Sequence, residues 1–100
     1  MKIDFTRKLT TLAGESIRYN QKDETSLMDI SLDALLTPMQ DDQNLSGEEK
    51  AKRYVLATRI YSNPAEIDVT VEEVSTLKKL IGKLFGALVV GQAYQMLEYN

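Results

Sequence analysis

The groups that could do chemistry in this chain are carboxylates, lysines, arginines, serines and tyrosines, because it holds no histidine and no cysteine. Histidine is the usual general base near neutral pH, and cysteine is the strongest common nucleophile. Together they also supply most protein ligands of zinc, copper, haem and iron–sulfur clusters. What remains is catalysis by paired carboxylates, which needs two of them across a cleft. Asp41 with Asp42, and Glu72 with Glu73, fall instead in a loop and in the first turn of a helix, where an anion has a structural reason to be. Ser26, Ser31 and Lys22 have no activating partner at a recognisable spacing, and no glycine cluster could cradle a phosphate. The expectation is a protein that is not an enzyme, with no catalytic residue, no cofactor and no metal.

Two patterns invite a binding role. Asp42, Asn44, Ser46 and Gly47 match the opening of a calcium loop, but position twelve is Arg53, where a bidentate glutamate should stand. A cation there repels the ion. Lys50, Lys52, Arg53 and Arg59 make one predicted helix the most basic element, with Tyr54 and Tyr61 interleaved on a shared face. That face suits a phosphate or an acidic partner. The plainer reading is a solvated surface balanced by Glu48 and Glu49, with half-buried tyrosines. The candidate partner-binding residues are Lys50, Arg53, Tyr54, Arg59 and Tyr61, with Tyr94 further along the chain. Asn44-Leu45-Ser46 also matches a glycosylation acceptor, which carries no weight without a secretion signal.

The elements that must position these residues are mostly helical. Residues 2–19 read as a β-hairpin, with Ile3, Phe5, Leu9, Leu12, Ile17 and Tyr19 as its apolar positions and Ala13-Gly14-Glu15-Ser16 as its turn. Residues 20–24 are a polar loop. The first helix runs from Ser26 to Leu36, capped by Thr25 or Ser26 and stopped by Pro38. After a polar loop over 37–45, Ser46 and Glu49 form a capping box that opens a second helix, ending near Tyr61 before Asn63-Pro64. Thr70 and Glu73 form another box, stapled by Val69 and Val74, and Val74, Leu77, Ile81, Leu84 and Phe85 continue at helical spacing. Gly86 interrupts, and a last helix runs from Ala87 to Glu98. Its apolar residues cover most of its circumference, so it is central to the core or covered by a partner. Gly91 within it points to a close helix–helix approach or to simple tolerance.

The expected fold is therefore mainly α (α+β), one domain over 1–100: a hairpin at 2–19 and about four helices over 26–98. The predicted core is Leu27, Ile30, Leu35, Val55, Leu56, Ile60, Val74, Leu77, Ile81, Leu84, Leu88, Val90, Ala93 and Leu97. A net charge of −3 offers no bulk attraction to phosphate, so nucleic acid is not an expected partner. Helices three and four could mimic a helix-turn-helix, yet the second would present valine, leucine and methionine to the bases. No apolar run approaches bilayer length, and the N-terminus has no signal-peptide core, so no membrane association and a cytoplasmic location are expected.

Asp42 to Lys50 followed by Ala57-Thr58-Arg59-Ile60, together with Thr70 to Leu97 and the opening Lys2-Ile3-Asp4-Phe5, resembles a family of short uncharacterised proteins encoded by tailed bacteriophages and prophages. The resemblance implies a phage or prophage origin and a bacterial host cytoplasm, and it carries over no site residue. The expected function is that of a non-catalytic accessory protein that binds a phage or host protein, such as a tail or head assembly factor, with the hairpin edge or the fourth helix mediating self-association or partner docking. The alternative is an inhibitor or regulator that blocks a host protein sterically. A transcriptional regulator ranks third.

Overall fold

The structure, a computed structural model, describes residues 1–18 and 24–98. Tyr19, Lys22, most of the expected 20–24 loop and the side chain of Asp41 lie outside the described residues. Among the described residues the chain is mainly helical, with four α-helices and one antiparallel strand pair. In order these are β1 (Lys2–Ile3), α1 (Leu27–Leu36), a 3₁₀ turn (Gln40–Asn44), α2 (Gly47–Ser62), β2 (Ile67–Asp68), α3 (Val71–Leu84) and α4 (Ala87–Glu98).

Capping chemistry sets the helix starts. The Ser26 hydroxyl accepts from the Asp29 amide, while the Asp29 carboxylate accepts from the Ser26 amide at 2.9 Å. Thr70 and Glu73 reciprocate in the same way at the start of α3. Ser46 accepts from the Glu49 amide at 3.1 Å, but the expected return bond is not made. Glu49 faces Lys52 instead, 3.5 Å away. Each cap satisfies amides that no helical carbonyl can reach.

α1 is the hub: α2 and α3 both pack on it, and α4 packs on α3. The N-terminal segment seals the open end of this arrangement. Ile3, Phe5 and Leu9 are buried. Their backbone closes on the start of α1, with the Met28 amide donating to the Phe5 carbonyl and the Leu27 amide to the Arg7 carbonyl, both at 2.8 Å. The expected antiparallel reversal is present. Thr10 bridges Ser16 around Gly14, whose φ of +89° lies in the left-handed region that glycine tolerates. The N-terminal strand itself pairs further away, Lys2 opposite Asp68 and Ile3 opposite Ile67. Side-chain alternation could not reveal that partner, because β2 is only two residues long.

The core departs from the predicted one at three large positions. Val55, Leu84 and Leu88 are 52%, 37% and 41% exposed. α2 has one helical neighbour of substance, so its buried stripe is only Leu56, Ala57 and Ile60, and Val55 falls beside it. Among the helices α4 leans chiefly on α3, burying Val89, Ala93, Met96 and Leu97, while Gln92 fastens it to the N-terminal segment by accepting from the Thr10 amide and donating to the Thr10 carbonyl; Leu88 is left outward and Val90 half-buried. α4 is thus peripheral rather than central. Val69 and Val74 are both buried, as a staple requires. The space around Gly91 is open, so the close approach considered there is absent.

Candidate protein-docking surface on α2

α2 is helical for reasons of its own sequence. Ser46 caps it, Glu48 and Glu49 occupy its positive end, and Arg59 lies in its last turn. Only three of its 16 residues are buried. A helix so thinly attached leaves most of its circumference to water, and here that surface is not uniformly polar. Tyr54 and Tyr61 are 62% and 70% exposed, and Val55 is open as well.

Two depressions flank the helix. On one side, α2 and α3 diverge above α1 and leave a cleft of about 840 Å³. Leu35, Leu56 and Leu80 line it together with Val55. Arg59 ties one end of this cleft together: Nη1 donates to Glu73 Oε2 at 2.5 Å and Nη2 to the Asp68 carbonyl at 2.6 Å. On the other side, a groove of about 310 Å³ runs between α1 and α2, lined by Leu32, Leu36, Tyr54, Ala57, Thr58 and Tyr61. Leu36 is itself 55% exposed.

The structure divides the six predicted binding residues. Arg53 is largely covered and donates to Asp42 Oδ2 at 3.1 Å. Asp42 in turn accepts from the Met39 amide at 2.9 Å. That amide, and then Arg53, hold the Asp42 carboxyl below its ordinary range. The first and twelfth positions of the calcium-like loop therefore neutralise each other. Among the described residues no group of three or more acidic side chains is placed to hold a metal ion. Arg59 is committed to Glu73 and Asp68. Tyr94 braces α3 against α4, its hydroxyl donating to the Lys78 carbonyl at 2.8 Å and its ring lying 5.6 Å from Lys78 Nζ. Lys78 also pairs with Glu98. Lys50, Tyr54 and Tyr61 are exposed together, and helical geometry places them within about 40° of arc on one face.

Two contributors escaped the sequence reading. Leu32 and Leu36 belong to a second apolar row on α1, four residues apart and beside the buried stripe. That spacing was the available signal. Asp33 lies on the same outward side. Its carboxyl is pushed above the usual carboxylate range, first by partial burial and then by the neighbouring Asp29 charge. No helix of the described residues is long and apolar enough to cross a membrane. Comparison of the chain with protein-family models, with curated proteins and with solved structures finds no match.

Proposed function

We propose that this chain is a non-catalytic accessory protein of a phage or prophage that acts by binding another protein, with the exposed side of α2 as the surface its partner covers. The observation that carries the reading is the pair Tyr54 and Tyr61, both well exposed beside an apolar groove on a helix that gives little to the core. Tyrosine offers large contact area with few rotatable bonds and is enriched where binding energy concentrates. Neither ring is needed to close the fold. Arg53, Arg59 and Tyr94 support this surface indirectly, by fixing the 3₁₀ turn, the start of α3 and the α3–α4 contact.

In a phage setting the natural role for such a surface is assembly of the virion, on a tail or head component. The test replaces Tyr54 and Tyr61 together by serine in the viral gene. Particle yield is expected to fall toward that of a deletion, while the variant stays folded by circular dichroism and accumulates normally. Unchanged particle yield with unchanged host growth rejects the reading. Growth arrest of an uninfected host on expression of the wild-type chain alone, lost in the double variant, moves the function to blockade of a host protein through the same surface.

A further inference from the structure

The groove between α1 and α2 carries information about its occupant. At about 310 Å³ it sits at the lower limit of small-molecule sites, roughly 300–1,000 Å³, and its exposed rings leave it open along its length. It suits side chains of a partner better than an enclosed ligand. Tyr54 and Tyr61 are seven residues apart, which on one helix is a rise of about 10.5 Å. That is the separation of anchors at i and i+7 on a second helix lying in a groove.

Charge narrows the choice further. On α1, Asp29 stands three residues before Leu32 and Asp33 three before Leu36, so the α1 lip of the groove is acidic. Asp29 is occupied at the start of its helix, accepting from Ser26. The Asp33 carboxylate has no cation and no hydrogen-bond donor among the described residues. Partial burial raises its pKa, the signature of a charge lacking compensation. The α2–α3 cleft names no such preference, because Glu48, Glu72 and Lys79 give its walls both signs. A second copy of this chain would bring the same two carboxylates, with Lys50 the cation on its exposed tyrosine face.

We infer that the α1–α2 groove receives an amphipathic helix of a partner protein, its apolar row entering between Leu36 and the two tyrosines and a lysine or arginine on its flank meeting Asp33. This rests on the protein-binding reading above and specifies the chemistry of the partner.

The test titrates the isotope-labelled protein by NMR with four synthetic peptides of equal length. One is an amphipathic helix with leucines at i, i+4 and i+7 and lysines on one flank. The second carries glutamates on that flank, the third serines in place of the leucines, and the fourth is proline-rich. The lysine-flanked helix should shift Leu32, Leu36, Tyr54 and Tyr61, and bind the wild type about threefold or more tighter than the glutamate-flanked one. Asp33→Asn should erase that preference, and Tyr54→Ser with Tyr61→Ser should abolish the shifts. Equal binding of both flanks, stronger binding of the proline-rich peptide, shifts confined to the α2–α3 cleft, concentration-dependent self-association through the groove, or no binding at millimolar peptide each overturns the inference. Tyrosine-dependent binding without the flank preference overturns the inference and leaves the protein-binding reading standing. Tyrosine-independent binding removes both.

Discussion

Ser31→Ala should make this protein more stable. Ser31 lies in α1, the helix on which two others pack, and it is fully buried. Its hydroxyl has no hydrogen-bond partner among the described residues. Burying a hydroxyl without a partner costs about 1–3 kcal/mol, the full desolvation of the group. Serine is also about 0.5 kcal/mol less favourable than alanine inside a helix. Against this stands the small void left by one oxygen, about 0.3 kcal/mol at the usual cost per unit of cavity. The net expectation is a gain of about 1–3 kcal/mol. For a domain of this size that corresponds to a rise in Tm of roughly 5–25 °C. Urea unfolding followed by circular dichroism would show a higher midpoint with an unchanged slope, because the surface exposed on unfolding is the same. A loss of stability would refute the reasoning, and would mean that the hydroxyl holds a carbonyl of the preceding helical turn.

Four other perturbations test the packing and the electrostatics. A Cβ at Gly82 would stand 2.9 Å from the Tyr94 hydroxyl oxygen but 3.9 Å from Cζ, so Gly82→Ala should gain nothing alone and about 0.5–1 kcal/mol in a Tyr94→Phe background, read as non-additivity in chemical denaturation. Gly91 has open space around it, so Gly91→Ala should give that same gain of about 0.5–1 kcal/mol unconditionally in thermal melts. The Asp42 carboxyl, held low by the Met39 amide and Arg53, binds its proton less readily when folded; its contribution is complete above the unfolded value near 3.9 and is lost as pH falls through the lower folded value. Asp42→Asn should therefore be less stable than wild type at pH 7, with the two stability curves converging in strong acid. Asp33 has the opposite sign: its raised pKa means the folded state holds the proton more readily, so stability should rise as pH falls from neutral toward about 4, and Asp33→Asn should flatten that rise and exceed wild type at pH 7.

Much of the fold was legible because helices announce themselves locally. Ser26, Ser46 and Thr70 mark three starts, and all three cap their helices. Pro38, Asn63-Pro64 and Gly86 mark the ends for equally local reasons. What stayed hidden depends on which element lies beside which. Ile3 meets Ile67 across more than sixty residues of sequence, and a two-residue strand has no alternation to read. Val55 and Leu88 have the hydrophobicity of core residues, and only the placement of α2 chiefly against α1, and of α4 chiefly against α3, exposes them. The binding candidates separated on the same principle. Arg53, Arg59 and Tyr94 are indistinguishable in sequence from free surface residues, and their partners Asp42, Glu73 and the Lys78 carbonyl come from elsewhere in the chain. Tyr54 and Tyr61 share a face by helical spacing alone, which is why that pair was readable.

The exposed apolar residues of α1 and α2 are linked. α1 buries Leu27, Ile30, Ala34 and Leu35, packs Leu32 partly against the same core and leaves Leu36 exposed beside it. A helix built only for stability would carry polar groups on that outer side, with its carboxylates paired or fully hydrated. Here it carries an exposed leucine, and a carboxylate with no partner among the described residues, its pKa raised by partial burial and by Asp29. α2 shows the same pattern, with two tyrosines and a valine exposed where lysine or glutamate would be soluble and helix-favouring. Single exposed apolar residues need no explanation, but Leu36, Tyr54 and Tyr61 meet at one groove, while Val55 opens on the cleft across the helix. Each is neutral or costly for the isolated fold, and each becomes favourable when an apolar, cationic surface covers it. Stability and binding therefore pull in opposite directions at the same atoms. Asp33→Asn separates them, since the substitution that should strengthen the free protein is the one that should weaken its grip on a basic helix.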